Sequence, residues 1–285
     1  MEIGRLNGII AALEEGRKPT MAFARADREE AIQFGLSPLD GVLFEMEHTP
    51  FSPSELRDAM QFLLNRRRIV DGGSLRPPVT PFVRIPANGA EMSTWLVKQV
   101  LDQGVYGVVF PHVATAEQAK NAVSACRYAR PEDAPNAEPR GLRGDAPIGA
   151  ARYWGLTMAE YYPRADVWPL VPDGEIMVIL MIESVEAMKN LDAILAVPGV
   201  GAIMIGEGDL SQNLGHPRQY DHPEVVAAKA EILSKAKAVG MRVAHPHVGV
   251  ANAQEAMDEG YDILFTTPSR SYAALEAVQA LTDAG

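Results

Sequence analysis

Glu183 and Asp209 each follow a run of apolar, β-favouring residues, 176–182 for the first and 200–205 for the second. Runs with no polar alternation read as strands covered on both faces, as in a parallel sheet. A carboxylate at the end of such a strand cannot pack as core, and an ionised one without a cation or donors is costly. Two carboxylates placed this way suit a hard divalent metal such as Mg²⁺, Mn²⁺ or Co²⁺, with waters and a chelating substrate filling the remaining positions. A competing reading makes Glu183 a cap of the following helix and Asp209 an Asx turn in the glycine-rich stretch 206–208.

The elements that must position this pair follow from hydrophobic periodicity. Eight strand-like cores are expected at 21–25, 41–45, 79–84, 106–110, 176–182, 201–205, 241–244 and 262–266. Amphipathic stretches lie between them. Ser52 and Pro53 open one, Thr115 with Gln118 forms a capping box at another, and Ser184 precedes a third. Eight β/α units in 285 residues at 47% hydrophobic predict one domain, 1–285, folded as a (β/α)₈ TIM barrel. A doubly wound sheet is the alternative, but no Gly-x-Gly-x-x-Gly follows the first strand. Residues 128–173, rich in Pro, Gly, Asp and Arg, are expected to be a long loop insertion between the fourth and fifth strands. Arg143, Arg152, Tyr153, Trp154 and Trp168 would anchor it as a lid, an active-site wall or a subunit contact.

In a barrel the C-terminal strand ends form the mouth, and polar residues recur there. The second strand runs into Glu45, Met46, Glu47 and His48, and the third ends in Arg84. The fifth and sixth supply Glu183 and Asp209, and the seventh leads to His245 and His247. Net charge is −11, and Arg66, Arg67 and Arg68 are the longest basic run, which disfavours nucleic acid as a partner. Charged residues within the first 25 positions argue against a secretory signal. The charge-free stretch 193–206 is too short and too broken by Pro and Gly to span a bilayer. The single cysteine, Cys126, permits no internal disulfide, fits a cytoplasmic location and reads as core. Lys98, Lys120 and Lys189 fall on predicted helices rather than strand ends, which disfavours Schiff-base chemistry.

Nearly the whole chain resembles the metal-dependent 2-oxo-acid aldolases of the HpcH/HpaI type. The resemblance is carried by Glu-His-Thr-Pro at 47–50, Val-Arg-Ile-Pro at 83–86, Phe-Pro-His-Val at 110–113 and Gly-Leu-Arg-Gly at 141–144. Ile-Glu-Ser with Glu-Ala-Met-Lys-Asn-Leu at 182–191 and Ile-Gly-Glu-Gly-Asp-Leu-Ser at 205–211 complete it. It implies Glu183 and Asp209 as metal ligands, Arg84 facing the keto oxygen, and His48 as the acid/base steadied by a nearby carboxylate, Glu45. Glu47, Trp154 and the amides of Gly208 and Asp209 would contact the substrate.

The implied reaction makes or breaks a carbon–carbon bond between pyruvate, or a similar 2-oxo acid, and an aldehyde through a metal-stabilised enolate. A homo-oligomer, trimer or hexamer, is implied too, with the apolar stretch 272–281 packing on a neighbour. Glu45 stands where many members have Asp, Glu207 adds a carboxylate to the usual metal loop, Met181 replaces a common glutamine, and His245 and His247 replace an apolar segment. The other classes to weigh are an acyl-CoA lyase or decarboxylase of the same barrel group, which would need a basic groove from the loop arginines, and a non-catalytic oxo-acid binder. Tyr153, Trp154 and Trp168 would suit a bulky aldehyde.

Overall fold

The computed structural model describes residues 3–87 and 91–266. The stretch 272–281, expected to pack on a neighbour, lies outside them. Among the described residues, nine strands run in chain order: β1 (Thr20–Ala24), β2 (Gly41–Glu45), β3 (Thr80–Arg84), β4 (Gly107–Phe110), β5 (Val167–Trp168), β6 (Ile176–Ile182), β7 (Ala202–Ile205), β8 (Val243–Val248) and β9 (Ile263–Thr266). All pairings are parallel, and β1 pairs with both β2 and β9 while β4 pairs with β6, so eight strands close on themselves. That closure is the (β/α)₈ barrel and excludes the open sheet. The two-residue β5 lies outside the ring, along the start of β6.

Burial follows the apolar runs. Every residue of β4, β6 and β7 is buried, because barrel side chains fill the inside on one face and meet helices on the other. Helices begin at the expected caps: Ser52 accepts the Glu55 amide, Thr115 and Gln118 form the capping box, and Ser184 accepts the Ala187 amide. The helix expected after Ser184 is broken at Asn190 into Val185–Lys189 and Leu191–Leu195. Lys98, Lys120 and Lys189 are exposed on their helices, and burial pushes the Cys126 thiol up, leaving it inert.

The stretch 128–173 differs from the expected loop. It carries the helices Ile148–Trp154 and Met158–Arg164, and it joins the end of the helix Ala116–Cys126 to the start of β6. That connection places it at the N-terminal end of the strands, the floor of the barrel, away from the mouth. Polarity and turn residues in sequence identify irregular chain but not which end of a barrel it covers.

Candidate active site

The register of β2 and β3 sets Glu45 directly beside Arg84. The Arg84 Nε donates to Glu45 Oε2 at 2.7 Å, Nη2 bonds the same oxygen, and Nη1 lies 3.0 Å from Glu47 Oε2. The guanidinium also sits 5.4 Å from the centroid of the Phe23 ring, which restricts its swing. The second Glu45 oxygen accepts the backbone amides of Glu47 (2.7 Å) and His48 (3.1 Å), and so holds the turn after β2. Glu45 therefore positions Arg84 and the loop. The carboxylate beside the His48 ring is Glu47, with Nε2 to Oε2 at 3.5 Å. The longer arm of Glu45 serves Arg84, a role that spacing from the histidine did not suggest.

Glu183 follows β6 and is buried. Its carboxylate accepts the His112 amide and lies 3.6 Å from His112 Nδ1. Opposite, a Cβ on Gly206 would come within 2.3 Å of Glu183 Oε2, so only glycine permits this approach. Ile182 pairs with Ile205 in register, which brings Glu183 and the Gly206 turn side by side. Gly206 opens the helix Glu207–Asn213, and Asp209, partly exposed, lies in its first turn. The Asx-turn and helix-cap alternatives fail here, since 207–213 is helical and Ser184 does the capping. As the second and third residues of that helix, Gly208 and Asp209 have amides without an intrahelical acceptor.

Burial raises the Glu183 pKa to about 7; the His112 amide and ring pull it back, while Glu47 and Asp209 push it further up. Glu47 is raised too, by burial first, with Arg84 opposing. Carboxylates gathered around a buried group that resists ionisation form an oxygen-donor set short of positive charge. The residues thus fit a hard divalent cation.

His112 was not singled out beforehand, although it lies in the Phe-Pro-His-Val run. It bridges the site, with Nε2 3.5 Å from Glu47 Oε1 and Nδ1 facing Glu183. Its φ of 57° is a left-handed backbone that costs energy for a non-glycine residue, and such strain gathers at functional sites. The available signal was its place two residues beyond β4, at the same end as the other polar residues.

Several expected features fall elsewhere. Trp154 is buried at the floor, where its indole N–H donates to Gly104 O at 2.8 Å and its ring stacks on Tyr106 at 4.7 Å, so it does not line the mouth. Tyr153 packs against Gly104, and Trp168 bonds Glu14 and meets Arg242. The aromatic wall for a bulky aldehyde is thereby removed. Arg143 is buried beside Asp102 and over the Tyr128 ring at the same floor, so it cannot form a groove at the mouth.

Glu207 accepts from Lys229 Nζ at 2.6 Å and lies 3.2 Å from His247 Nδ1. Burial would raise its pKa, but those partners outweigh it and bring it to about 2. It is spoken for rather than loose beside Glu183. His245 packs edge-on to Tyr261, and burial lowers its pKa. His216, His222 and Glu224 bring possible ligand atoms within 4.8 Å of one another, yet the two rings stack at 3.4 Å and 20°. His216 Nε2 is engaged with Glu224 at 2.9 Å, and His222 caps the helix Pro223–Ala238.

With this geometry in view, the sequence pattern of the HpcH/HpaI aldolase/citrate lyase family matches residues 20–266. The chain belongs to that family. Among curated relatives, a 2-dehydro-3,6-dideoxy-6-sulfogluconate aldolase of Pseudomonas putida is 35% identical over 77% of this chain and 73% of its own length. A hydroxypyruvate/pyruvate aldolase of Paraburkholderia phytofirmans is 31% identical over 78% of this chain and 75% of its own. An HpcH/HpaI aldolase/citrate lyase family protein from Burkholderia cenocepacia superposes with a TM-score of 0.76 at 27% identity, covering 98% of this chain and 99% of that one. Membership and these relatives make the HpcH/HpaI chain a lyase of the aldolase type. No helix among its described residues is long and apolar enough to cross a membrane.

Proposed function

We propose that this chain joins and cleaves pyruvate, or a similar 2-oxo acid, and an aldehyde in a divalent-metal-dependent aldol reaction. The observation that carries this reading is the buried Glu183 beside the Gly206 turn that leads into Asp209, with Arg84 at the same end of the barrel. Glu183 and Asp209 would hold the metal, and Mg²⁺, Mn²⁺ and Co²⁺ all suit their oxygens. When bound, the metal draws electron density from the keto oxygen and lowers the energy of the enolate.

The protein groups divide the remaining work. Arg84, fixed by Glu45 and Glu47, presents positive charge where the keto oxygen becomes negative. The amides of Gly208 and Asp209 offer two donors to the substrate carboxylate. In cleavage, His48 takes the proton of the C4 hydroxyl as the C3–C4 bond breaks and the aldehyde leaves, and the C3 carbon is then reprotonated. Glu47, near both His48 and His112, stabilises whichever ring carries the proton.

Exchange of pyruvate methyl protons in D₂O, followed by NMR with metal-stripped protein, tests the reading without an aldehyde. Exchange is expected only after Mg²⁺, Mn²⁺ or Co²⁺ is restored, and Arg84→Ala should slow it about 100-fold or more. Metal-independent exchange, or none with any metal, would refute it.

The reading extends to assembly and location: a homo-oligomer, trimer or hexamer, acting in the cytoplasm. The loop arginines that would have favoured an acyl-CoA lyase stand at the wrong end of the barrel, which leaves the aldol reading ahead.

A further inference from the structure

A cavity of about 490 Å³ opens at the rim between the ends of β1 and β2. Its lining includes His48 but none of Arg84, Glu183 or Asp209. A molecule seated there would meet the reaction through His48 alone. On the aldol reading above, that place suits the aldehyde partner, whose oxygen would exchange the proton with His48, rather than the oxo acid.

The charges around this cavity are unequally engaged. Arg25 directly follows β1, and Arg28 is the first residue of the helix Arg28–Leu36. Both are exposed, and neither guanidinium makes a hydrogen bond or an ion pair among the described residues. Of the three lining carboxylates, Asp27 is committed to the amides of Glu29 and Glu30 at 2.9 and 3.1 Å, and Asp58 to Arg57 at 3.0 Å. Among the described residues, only the Glu55 side chain of the three has no such partner. Two free cations thus face one free anion, beside the positive ends of two helices that begin at Arg28 and Pro53.

Arg28 is also placed against local stability. A cation in the first turn opposes the helix dipole, where carboxylates such as Glu29 and Glu30 are favoured. Guanidinium groups of this kind match carboxylate, phosphate and sulfonate oxygens in paired hydrogen bonds.

We propose that Arg25 and Arg28 receive the far end of the aldehyde, and that the partner is an aldehyde ending in an oxyanion: a carboxylate, a phosphate or a sulfonate. This rests on the oxo-acid aldolase reading above. It adds two residues that choose the aldehyde to the set that activates the oxo acid.

The test measures retro-aldol and aldol kinetics of the metal-loaded full chain with matched aldehydes. The pairs are 4-oxobutanoate with butanal, glyceraldehyde 3-phosphate with glyceraldehyde, and 3-sulfolactaldehyde with lactaldehyde. The wild-type protein should favour the anionic member of at least one pair through a lower KM, and the pair with the largest ratio identifies the oxyanion. The Arg25→Gln/Arg28→Gln double variant should raise the KM for that aldehyde by about tenfold or more, with kcat altered much less. Arg25→Lys/Arg28→Lys should recover part of the loss. Thermal melting guards against misfolding, and Arg28→Gln should melt no lower than wild type because an unfavourable helix-end charge is removed. No anionic preference in the wild type, or a preference that survives the double variant, overturns the proposal while the aldolase reading stands. Absence of metal-dependent pyruvate exchange in the wild type overturns both.

Discussion

The barrel buries a glutamate at each end, and the two are kept in opposite ways. At the floor, Glu175 is 0% exposed and accepts the amides of Leu6 (2.9 Å) and Asn7 (2.8 Å) as well as Arg164 Nη1 at 3.1 Å, with Arg5 3.7 Å away. At the mouth, Glu183 is 3% exposed, and beyond His112 its charged neighbours are the carboxylates of Glu47 and Asp209. Burial raises both pKa values. At the floor the amides and arginines pull the group back, whereas at the mouth more carboxylates drive it up to about 7. A buried charge with its donors supplied is structural; one left short of positive charge is poised for a cation or a proton.

Exchanging each glutamate would break this comparison if it is wrong. Glu183→Gln should abolish metal-dependent pyruvate exchange, by about a thousandfold or more, while the metal-free protein unfolds at no lower denaturant concentration. Glu175→Ala should do the reverse. Leaving Arg164 and two amides without their acceptor should cost about 3–5 kcal/mol in denaturant unfolding, with kcat per folded molecule preserved. A floor variant that lost catalysis without losing stability would erase the distinction.

A smaller effect sharpens it. Because the folded pKa of Glu183 lies above its ordinary 4.5, the folded protein binds a proton between pH 4.5 and 7 that the unfolded chain has released. Stability of the metal-free protein should therefore fall as pH rises through that window, by up to about 3 kcal/mol. Saturating Mg²⁺ should flatten the dependence by taking the proton's place, and Glu183→Gln should remove it. A metal-free stability that rises with pH across this window in the Glu183 protein but not in the variant would contradict the assignment.

Much of the site was legible because parallel strands announce both themselves and their ends. The run 176–182 is the whole of β6, and Glu183 is its first polar successor. Arg84 and Glu45 likewise close strands, each directly after an apolar pair, Phe82–Val83 and Leu43–Phe44. His112 escaped because it lies beyond the apolar run of β4, past Pro111, and its significance lies in a left-handed φ, which residue type alone does not disclose. The partner that engages Glu207 was not legible because Lys229 lies on another helix, 22 positions away. Trp154 was drawn to the mouth because an aromatic residue in a polar stretch looks the same in sequence at either end of a barrel.

The order of apolar runs and turns by itself determined eight strands, their parallel arrangement and the carboxylates, arginine and histidine at their ends, because burial on both faces forces an uninterrupted apolar segment. Only the tertiary structure decided which of those groups meet. Barrel closure and strand register set Glu45 against Arg84 and Glu183 against Gly206, sent 128–173 to the floor, and left Arg25 and Arg28 unpaired among the described residues, beside His48. Those are contacts between distant parts of the chain, and pairing at a distance is fixed by packing in three dimensions rather than by local composition.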